Sequence, residues 1–566
     1  MYHIKFLSYK TVKEAVTITT RRTSGADYQY YARVSFKNIE YAAVDSNADG
    51  GAIYGSSITL SNNGSVKFSG NTASSADSCC YGGAICGWGD TSIIALNNNG
   101  SVKFIGNMAS SAPSFSEGGA ICGGGTIMLN NNGSVEFIGN TASSAPSASY
   151  GGAIYGGGTI TLNNNGSVKF IGNTASYSGG AICGWGDITL SNNDCVMFSG
   201  NTVSGSGDEI RGGAIYRGSD STVMLSNNGK VSFIENTASG YQASGGAIYT
   251  SGSLHIRNND SVEFSGNVEK EGSAYRLRSV YVSGGSDDVL NISAAAGKSV
   301  TFYDTIYVGS GTTVNLNADY EDAEGNIIEQ KGDIIFTGAT TVADLYKAKG
   351  NVAGTAMEIL NSRTTEVRTM TNLYGGRLRM EDGAIYQGYG ITVHEGSVAT
   401  VLVKDATLSH SGYDLIFNAG TTLELVGDSQ LAGNLMMLTG SILSLDSTMN
   451  LNGSLTLGNE VVLGGALLDD ILSMKAGDTL TLVSGLESLH LQTQSLMRSL
   501  EYTTLLSGEL VNASDYFENL KEHSDLVFCY DSNTQTLKII YAIPEPATTT
   551  LSLLALAALA ARRRRK

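Results

Sequence analysis

"GGAIYGGGTITLNNNGSVKFIGNTAS", residues 151–176, holds a glycine pair, two short runs in which apolar and polar residues alternate, an asparagine cluster and a closing Gly-Asn. Ile160 and Leu162 alternate with Thr159 and Thr161, and Val168 and Phe170 alternate with Ser167 and Lys169. A period of two points to two short strands, each with one buried face. Between them Asn163, Asn164, Asn165 and Gly166 form a turn candidate, because asparagine side chains bond to local backbone and both residue types accept positive φ. Gly151 and Gly152 supply another corner.

The module recurs from Gly50, Gly82, Gly118, Gly151, Gly179, Gly212 and Gly245, at intervals of 32, 36, 33, 28, 33 and 33 residues, and each copy ends in Phe-x-x-Asn. Runs this short enclose no core alone. Stacked copies do, by pairing like strands and burying one continuous column. The pattern therefore predicts an all-β chain, a right-handed parallel β-helix or closely similar β-solenoid. At ~4.8 Å per stacked strand, seven coils extend roughly 34 Å. Phe68, Phe104, Phe137, Phe170, Phe198, Phe233 and Phe264 are expected to stack as core. Asn71, Asn107, Asn140, Asn173, Asn201, Asn236 and Asn267 are expected to form an amide ladder at the next corner. The outward position varies as Lys67, Lys103, Glu136, Lys169, Met197, Ser232 and Glu263, which describes a solvated face rather than a charged groove.

Composition narrows the class further. The 566 residues include 71 glycines and only four prolines, and the formal charge is −17. No three-residue glycine period exists, which excludes collagen, and the recurring apolar positions argue against simple disorder. The negative balance disfavours a nucleic-acid partner, which needs a basic stripe. The seven cysteines, Cys79, Cys80, Cys86, Cys122, Cys183, Cys195 and Cys529, are odd in number and contain no C-x-x-C pair. Cys86, Cys122 and Cys183 occupy the position after Gly-Gly-Ala-Ile where other copies have Tyr54, Tyr155, Tyr216 and Tyr249. Exchange with tyrosine points to packing beside a turn rather than redox or metal chemistry. A disulfide between neighbouring copies would depend on geometry.

Residues 1–30 read as an irregular segment or a wrongly chosen start, since they show no clear apolar signal region or small-residue cleavage site. Residues 31–270 carry the repeats, with Val34, Phe36 and Asn38 as an imperfect first coil. Residues 271–469 read as a degenerate continuation with insertions, on stretches such as "GKSVTFYDTIYVGSGTTVNLN". Residues 470–541 read as a β-rich cap, and two helix-like intervals, around 341–360 in the continuation and 511–523 in the cap, read as insertions or caps.

The best acidic candidates are Asp90 and Asp187, each in a Gly-Trp-Gly-Asp segment beside Trp88 or Trp185. Such a pair could serve a carbohydrate platform through stacking, acid catalysis or calcium binding. The same residues follow glycine at turns, and no calcium loop or carboxylate, Lys and Arg constellation accompanies them. His3, His255, His394, His410, His490 and His523 have no partner that the sequence assigns. The glycines lack the strand-to-helix setting of phosphate-binding loops. The reading contains no catalytic, cofactor or metal site and no cofactor.

The chain closes with "IPEPATTTLSLLALAALAARRRRK", residues 543–566. Pro544, Glu545 and Pro546 precede an apolar stretch from Leu551 to Ala561, which includes Leu553, Leu554, Leu556 and Leu559. Arg562, Arg563, Arg564, Arg565 and Lys566 form a basic stop. As a helix the apolar stretch spans only about 16 Å, short of a bilayer core of roughly 30 Å. Thinning and arginine snorkelling would assist it as a brief transmembrane helix, and the basic end favours the cytoplasmic side.

This ordered three-part tail resembles the PEP-CTERM sorting signal of exported proteins of Gram-negative bacteria. The resemblance implies an exosortase-like membrane enzyme as partner, processing near Pro544 to Pro546, and export to the envelope, cell surface or extracellular matrix after transient inner-membrane anchoring. The repeats separately resemble those of chlamydial polymorphic membrane proteins. Gly-Gly-Ala-Ile stands at Gly82 to Ile85, Gly118 to Ile121, Gly151 to Ile154 and Gly179 to Ile182. Phe-x-x-Asn follows at Phe104, Phe137, Phe170 and Phe198. That family implies a surface β-helix used in adhesion, although no C-terminal translocator barrel is evident here. The expected function is structural or adhesive without catalysis, toward a surface glycan or a neighbouring-cell or matrix component. A carbohydrate-binding or polysaccharide-cleaving β-helix is the alternative.

Overall fold

The computed structural model describes residues 11–12, 17–22, 30–37, 39–43, 47–338, 358–359, 364–493 and 501–542, apart from single positions 113, 146, 208, 219, 273, 323 and 395. The chain divides into two compact units, Met1–His394 with Ala406–Gly412, and Glu395–Asp405 with Tyr413–Lys566.

In the first unit each coil contributes short strands, as in Ile154–Gly156, Ile160–Asn163, Val168–Ile171 and Thr174–Ala175. Each pairs in parallel with its counterparts one coil before and one after: Ile154 aligns with Ile121 and Ile182, and Phe170 with Phe137 and Phe198. A chain that meets a parallel copy of itself after every circuit is a parallel β-helix. Two of the four strands escape the alternation rule, because one is bounded by glycines and the other is built of Thr and Ala. Their inward residues, Ile154 and Ala175, are nonetheless buried.

The glycine pair has two distinct causes. Gly151 turns with φ +63°, and a Cβ on Gly152 would lie 2.1 Å from the Gly180 carbonyl oxygen of the next coil. One glycine supplies a left-handed bend and the other lets adjacent coils touch backbone to backbone. Asn164 makes the opposite corner at φ +56°, a conformation asparagine tolerates.

Inside, Phe36, Phe68, Phe104, Phe137, Phe170, Phe198, Phe233, Phe264, Phe302 and Phe336 form one stack of fully buried rings. Successive centroids lie between 4.6 and 5.0 Å apart along it. The spacing is that of the strands that carry the rings. Beyond Phe336 the stack meets Tyr386 edge-on at 5.6 Å.

Two asparagine ladders run beside this column. In the one at the Phe-x-x-Asn corner, Asn140 Nδ2 donates to Asn173 Oδ1 at 2.9 Å and to the Phe104 carbonyl at 3.0 Å, while Asn140 N donates to the same Asn173 oxygen at 3.0 Å. The pattern repeats from Asn71 to Asn267. The second ladder comes from the turn cluster: Asn63, Asn99, Asn132, Asn165, Asn193, Asn228 and Asn259 are linked in the same way. Every amide in these rows is buried, so satisfying it in full is what makes the row tolerable.

The coils continue past residue 270. Phe264 aligns with Phe302, Phe302 with Phe336, and Phe336 with Met380. Near the other end of the chain, Thr17–Arg22 pairs antiparallel with Tyr30–Lys37, and Phe36 aligns with Phe68. Tyr320–Glu321 and Ile327–Ile328 form a short antiparallel hairpin. Most of the helix-like interval 341–360 lies outside the described residues, and Glu358–Ile359 is a strand.

The second unit stacks Ala399–Lys404, Thr422–Val426, Ile442–Leu445 and Val462–Gly464 in parallel. It then changes to antiparallel pairing, with Thr479–Thr493 against Thr536–Tyr541 and the latter against Leu526–Asp531. The helix-like interval 511–523 is corrected here to part of the strand Leu510–Asn512 followed by two 3-10 turns, Ala513–Asp515 and Glu518–Leu520. Buried Ala513, Phe517 and Leu520 give it helical spacing without a continuous helix. An α-helix that periodicity does not announce, Ala466–Leu472, buries Leu467 and Ile471. Among the described residues no helix is long and apolar enough to cross a membrane. The sorting segment 543–566, with Pro544 to Pro546 and Leu551 to Lys566, lies outside them.

Candidate functional site: an aromatic face

Because strand side chains alternate, the Gly-Gly-Ala-Ile strand that sends isoleucine inward sends its next residue outward. Tyr54, Cys86, Cys122, Tyr155, Cys183, Tyr216, Tyr249 and Tyr281 therefore form one row in register on the side of the strand away from the isoleucines, in which Cys86, Cys122, Cys183, Tyr216 and Tyr249 are buried and the others only partly so. Tyr307 continues it. The rings of Tyr216, Tyr249, Tyr281 and Tyr307 stack at 5.5, 5.4 and 4.5 Å. Tyr150, Tyr155 and Tyr281 pack against the buried cluster of Cys183, Tyr216 and Tyr249, and the Arg211 guanidinium lies 4.7 Å over the Tyr249 ring.

One rim of this face is the corner that follows the strand. Trp88 N bonds to Gly55 O, Gly124 N to Gly87 O, Gly157 N to Gly123 O and Trp185 N to Gly156 O. Trp88, Gly124, Gly157 and Trp185 thus occupy the same position on successive coils. The two tryptophans stand three coils apart, about 14 Å at the usual strand spacing, and are 56% and 43% exposed. Bare glycine backbone lies between them.

The other rim aligns Tyr81, Glu117 and Tyr150, then Ser178, Arg211 and Ser244. Burial pushes the Glu117 carboxyl up to about 7, against the lowering effect of hydrogen bonds from Cys122 and Tyr155. Contact with Cys86 and burial hold the Cys122 thiol well above the ordinary range, and burial does the same to Cys183. Thiols kept protonated in this way are poor nucleophiles and poor ligands. All seven cysteines are free thiols. Cys86, Cys122 and Cys183 sit on the Gly-Gly-Ala-Ile strand itself, between two turns.

Asp90 and Asp187 are exposed at the tryptophan corner and are not brought together. Asp187 Oδ1 accepts from Thr222 N at 2.8 Å and so ties its corner to the next coil. Phe68, Phe104, Phe137, Phe170, Phe198, Phe233 and Phe264 all lie inside the coils, away from this surface. Tyr281, Tyr307 and Arg278, which extend the face, fall after the clean repeats. The signal for them was an apolar residue followed by Tyr and a nearby glycine, in "VYVSGG" and "IYVGSG". No group of three or more His, Cys, Asp or Glu among the described residues could hold a metal ion.

Residues 542–566 match the PEP-CTERM protein-sorting motif, and residues 134–157 and 230–251 match the Chlamydia polymorphic membrane protein repeat. The chain is 27% identical over 256 residues to the probable outer membrane protein pmp10 of Chlamydia pneumoniae, an alignment covering 42% of this chain and 26% of that one. The match spans about a quarter of the relative's length. No solved structure matches the chain. The fold and these signals define an exported surface protein built on a β-helix. More particularly, it carries polymorphic-membrane-protein repeats and a PEP-CTERM tail, which implies processing by an exosortase and delivery to the cell envelope or surface.

Proposed function

We propose that this chain is a non-catalytic adhesive or matrix-organising protein that engages a neighbouring cell or matrix component through its aromatic face. The observation that carries the reading is the exposure of Trp88 and Trp185 at one corner of a frame whose polar interior is closed in ladders. Tryptophan combines a large contact area with a polar N–H, and exposed pairs of it suit attachment.

The carboxylates support a role without cleavage. Glycosidic cleavage uses two carboxyl groups about 5 to 9.5 Å apart, whereas Asp90 and Asp187 are separated by three coils. The repeats add a second line of support, since the relative they resemble bears the name of an outer membrane protein. Pro544, Glu545 and Pro546 are assigned the processing step, and Leu551 to Ala561 with the terminal cations the temporary anchor.

The test is attachment of neighbouring cells and of their extracted matrix to immobilised purified chain, with release of soluble glycan products followed in parallel. Retained attachment without products is expected, together with a marked loss in the Trp88→Ala/Trp185→Ala variant. Time-dependent product release, or attachment indifferent to both tryptophans, contradicts the reading.

A further inference from the structure

Further along the aromatic face, in the first unit, Tyr281 and Tyr307 line an open groove with Arg276, Arg278, Glu366 and Arg368, rimmed by Gln242 and Ser244. Arg278 is almost wholly buried. Its guanidinium is shared between Glu269 at 3.3 Å and Glu366 at 3.6 Å, and its Nε has no hydrogen-bond partner among the described residues. Glu269 also accepts from Arg276 at 3.2 Å and from Gly245 N at 2.8 Å, and Arg368 pairs with Glu366 at 3.6 Å. These pairs fix the groove wall before any ligand arrives.

The tyrosine faces are already covered. Arg278 lies 5.9 and 5.1 Å over Tyr281 and Tyr307, and Arg368 lies 5.1 Å over Tyr307. The rings are stacked on one another at 4.5 Å, so what they offer a ligand is their edges and hydroxyls. Burial pushes the Tyr281 hydroxyl up to about 12, which keeps it a donor at neutral pH. Gln242 is exposed and held at φ +48°, an unusual conformation for a residue other than Gly, Asn or Asp.

We propose that this groove binds an uncharged, hydroxyl-rich saccharide chain. The assignment rests on the reading of the chain as an exported binding surface and names the chemistry of one subsite on it. Arg276, Arg278 and Arg368 are balanced by Glu269, Glu271 and Glu366, so a polyanion gains no net attraction. An apolar ligand would strip water from the ion pairs and return no hydrogen bonds. A polyol supplies both halves of what the wall can use: hydroxyl donors for the Glu271 and Glu366 carboxylates, and hydroxyl acceptors for the Arg276 and Arg368 guanidinium groups, the Gln242 amide and the phenols. The preformed pairs lower the ordering cost of binding.

The test uses the full chain on an array of immobilised neutral hexose and hexosamine glycans beside polyuronates and sulfated glycans, read at low salt and at roughly 0.5 M salt, where surface attraction is screened. Binding to a neutral glycan is expected, nearly unchanged by salt. It should fall about tenfold or more in Gln242→Ala/Arg368→Ala, both exposed positions, and persist in Trp88→Ala/Trp185→Ala. Unchanged thermal unfolding of the groove variant verifies that the loss is local. Binding to acidic glycans alone with steep salt dependence, binding to no glycan, or neutral-glycan binding that survives the groove variant overturns the assignment. Cell attachment by the unaltered chain that binds no neutral glycan on the array removes this subsite and leaves the adhesive reading standing.

Discussion

The side-chain amide of Asn267 donates to Asp304 Oδ2 at 2.8 Å, and this contact ends the asparagine ladder on a carboxylate. Asn267 N donates to the same oxygen at 2.9 Å and Gly266 N to Asp304 Oδ1 at 2.8 Å. An asparagine here would bring two further N–H donors needing partners, whereas a carboxylate only accepts. Asp304→Ala should strand three buried donors and destabilise the fold by about 3 kcal/mol or more, with Asp304→Asn intermediate because it keeps one of the two acceptor oxygens. Urea midpoints measure both; a shift no larger than that of a surface variant would show the ladder needs no terminal acceptor.

Phe137 sits mid-stack with no exposure, between Phe104 and Phe170 at 4.8 and 4.9 Å. Phe137→Ala should cost about 3–5 kcal/mol. Lys169→Ala, on the outer side of the adjacent strand, should stay within about 0.5 kcal/mol. Equilibrium unfolding of the two variants compares them directly.

Gly152→Ala should be more damaging than its single methyl suggests. The added Cβ would lie 2.1 Å from the Gly180 carbonyl oxygen and 2.5 Å from Thr174 N, both backbone atoms that no rotamer change can move. Loss of about 3 kcal/mol or failure to accumulate as folded protein is expected. Gly139→Ala, which has open space but φ +60°, should cost less.

Glu117 gives a pH signature. Its folded-state carboxyl is pushed up to about 7 from an ordinary 4.5. Below about 4.5 both folded and unfolded forms hold the proton and this group takes nothing from stability. Between about 4.5 and 7 the unfolded form releases it first, so stability falls, by up to about 3 kcal/mol for a shift of this size. Above 7 the effect is constant. Glu117→Gln should flatten that window in a denaturation series against pH, and an unchanged slope would place the titration elsewhere.

Replacing Pro544 and Pro546 should block C-terminal processing while leaving the melting of the β-helix unchanged. Mass measurement of the protein recovered from its native host reads the C-terminus directly, and normal trimming in that variant would count against these prolines as the recognised motif.

The fold class was legible because a single module repeats with its phenylalanine and asparagine in fixed places, and stacking is the only arrangement that buries them together. Asn165 was harder to read: it stands in a run of three asparagines, all suited to a turn, yet Asn164 makes the bend at φ +56° while Asn165 is buried in a second ladder. Which amide faces inward is decided by corner geometry that composition does not encode. The aromatic face was half legible. Exchange of Cys86 with Tyr155 marked a shared position, and the Gly-Trp-Gly-Asp segments put Trp88 and Trp185 at one repeat position three intervals apart, but their exposure at the corner is set by packing. Tyr307 and Arg278 were hidden because insertions and a bulge near Arg278 break the period.

Export places the β-helix outside the cell with its faces free to bind, and this is open to a direct measurement. An epitope tag placed between Glu324 and Gly325, exposed at the hairpin tip, reports this on intact cells of the native host. Tag labelling without permeabilisation is expected, on a protein whose mass lacks the Arg562 to Lys566 tail. A tag detected only after lysis, on soluble cytoplasmic protein that retains the tail, would contradict it.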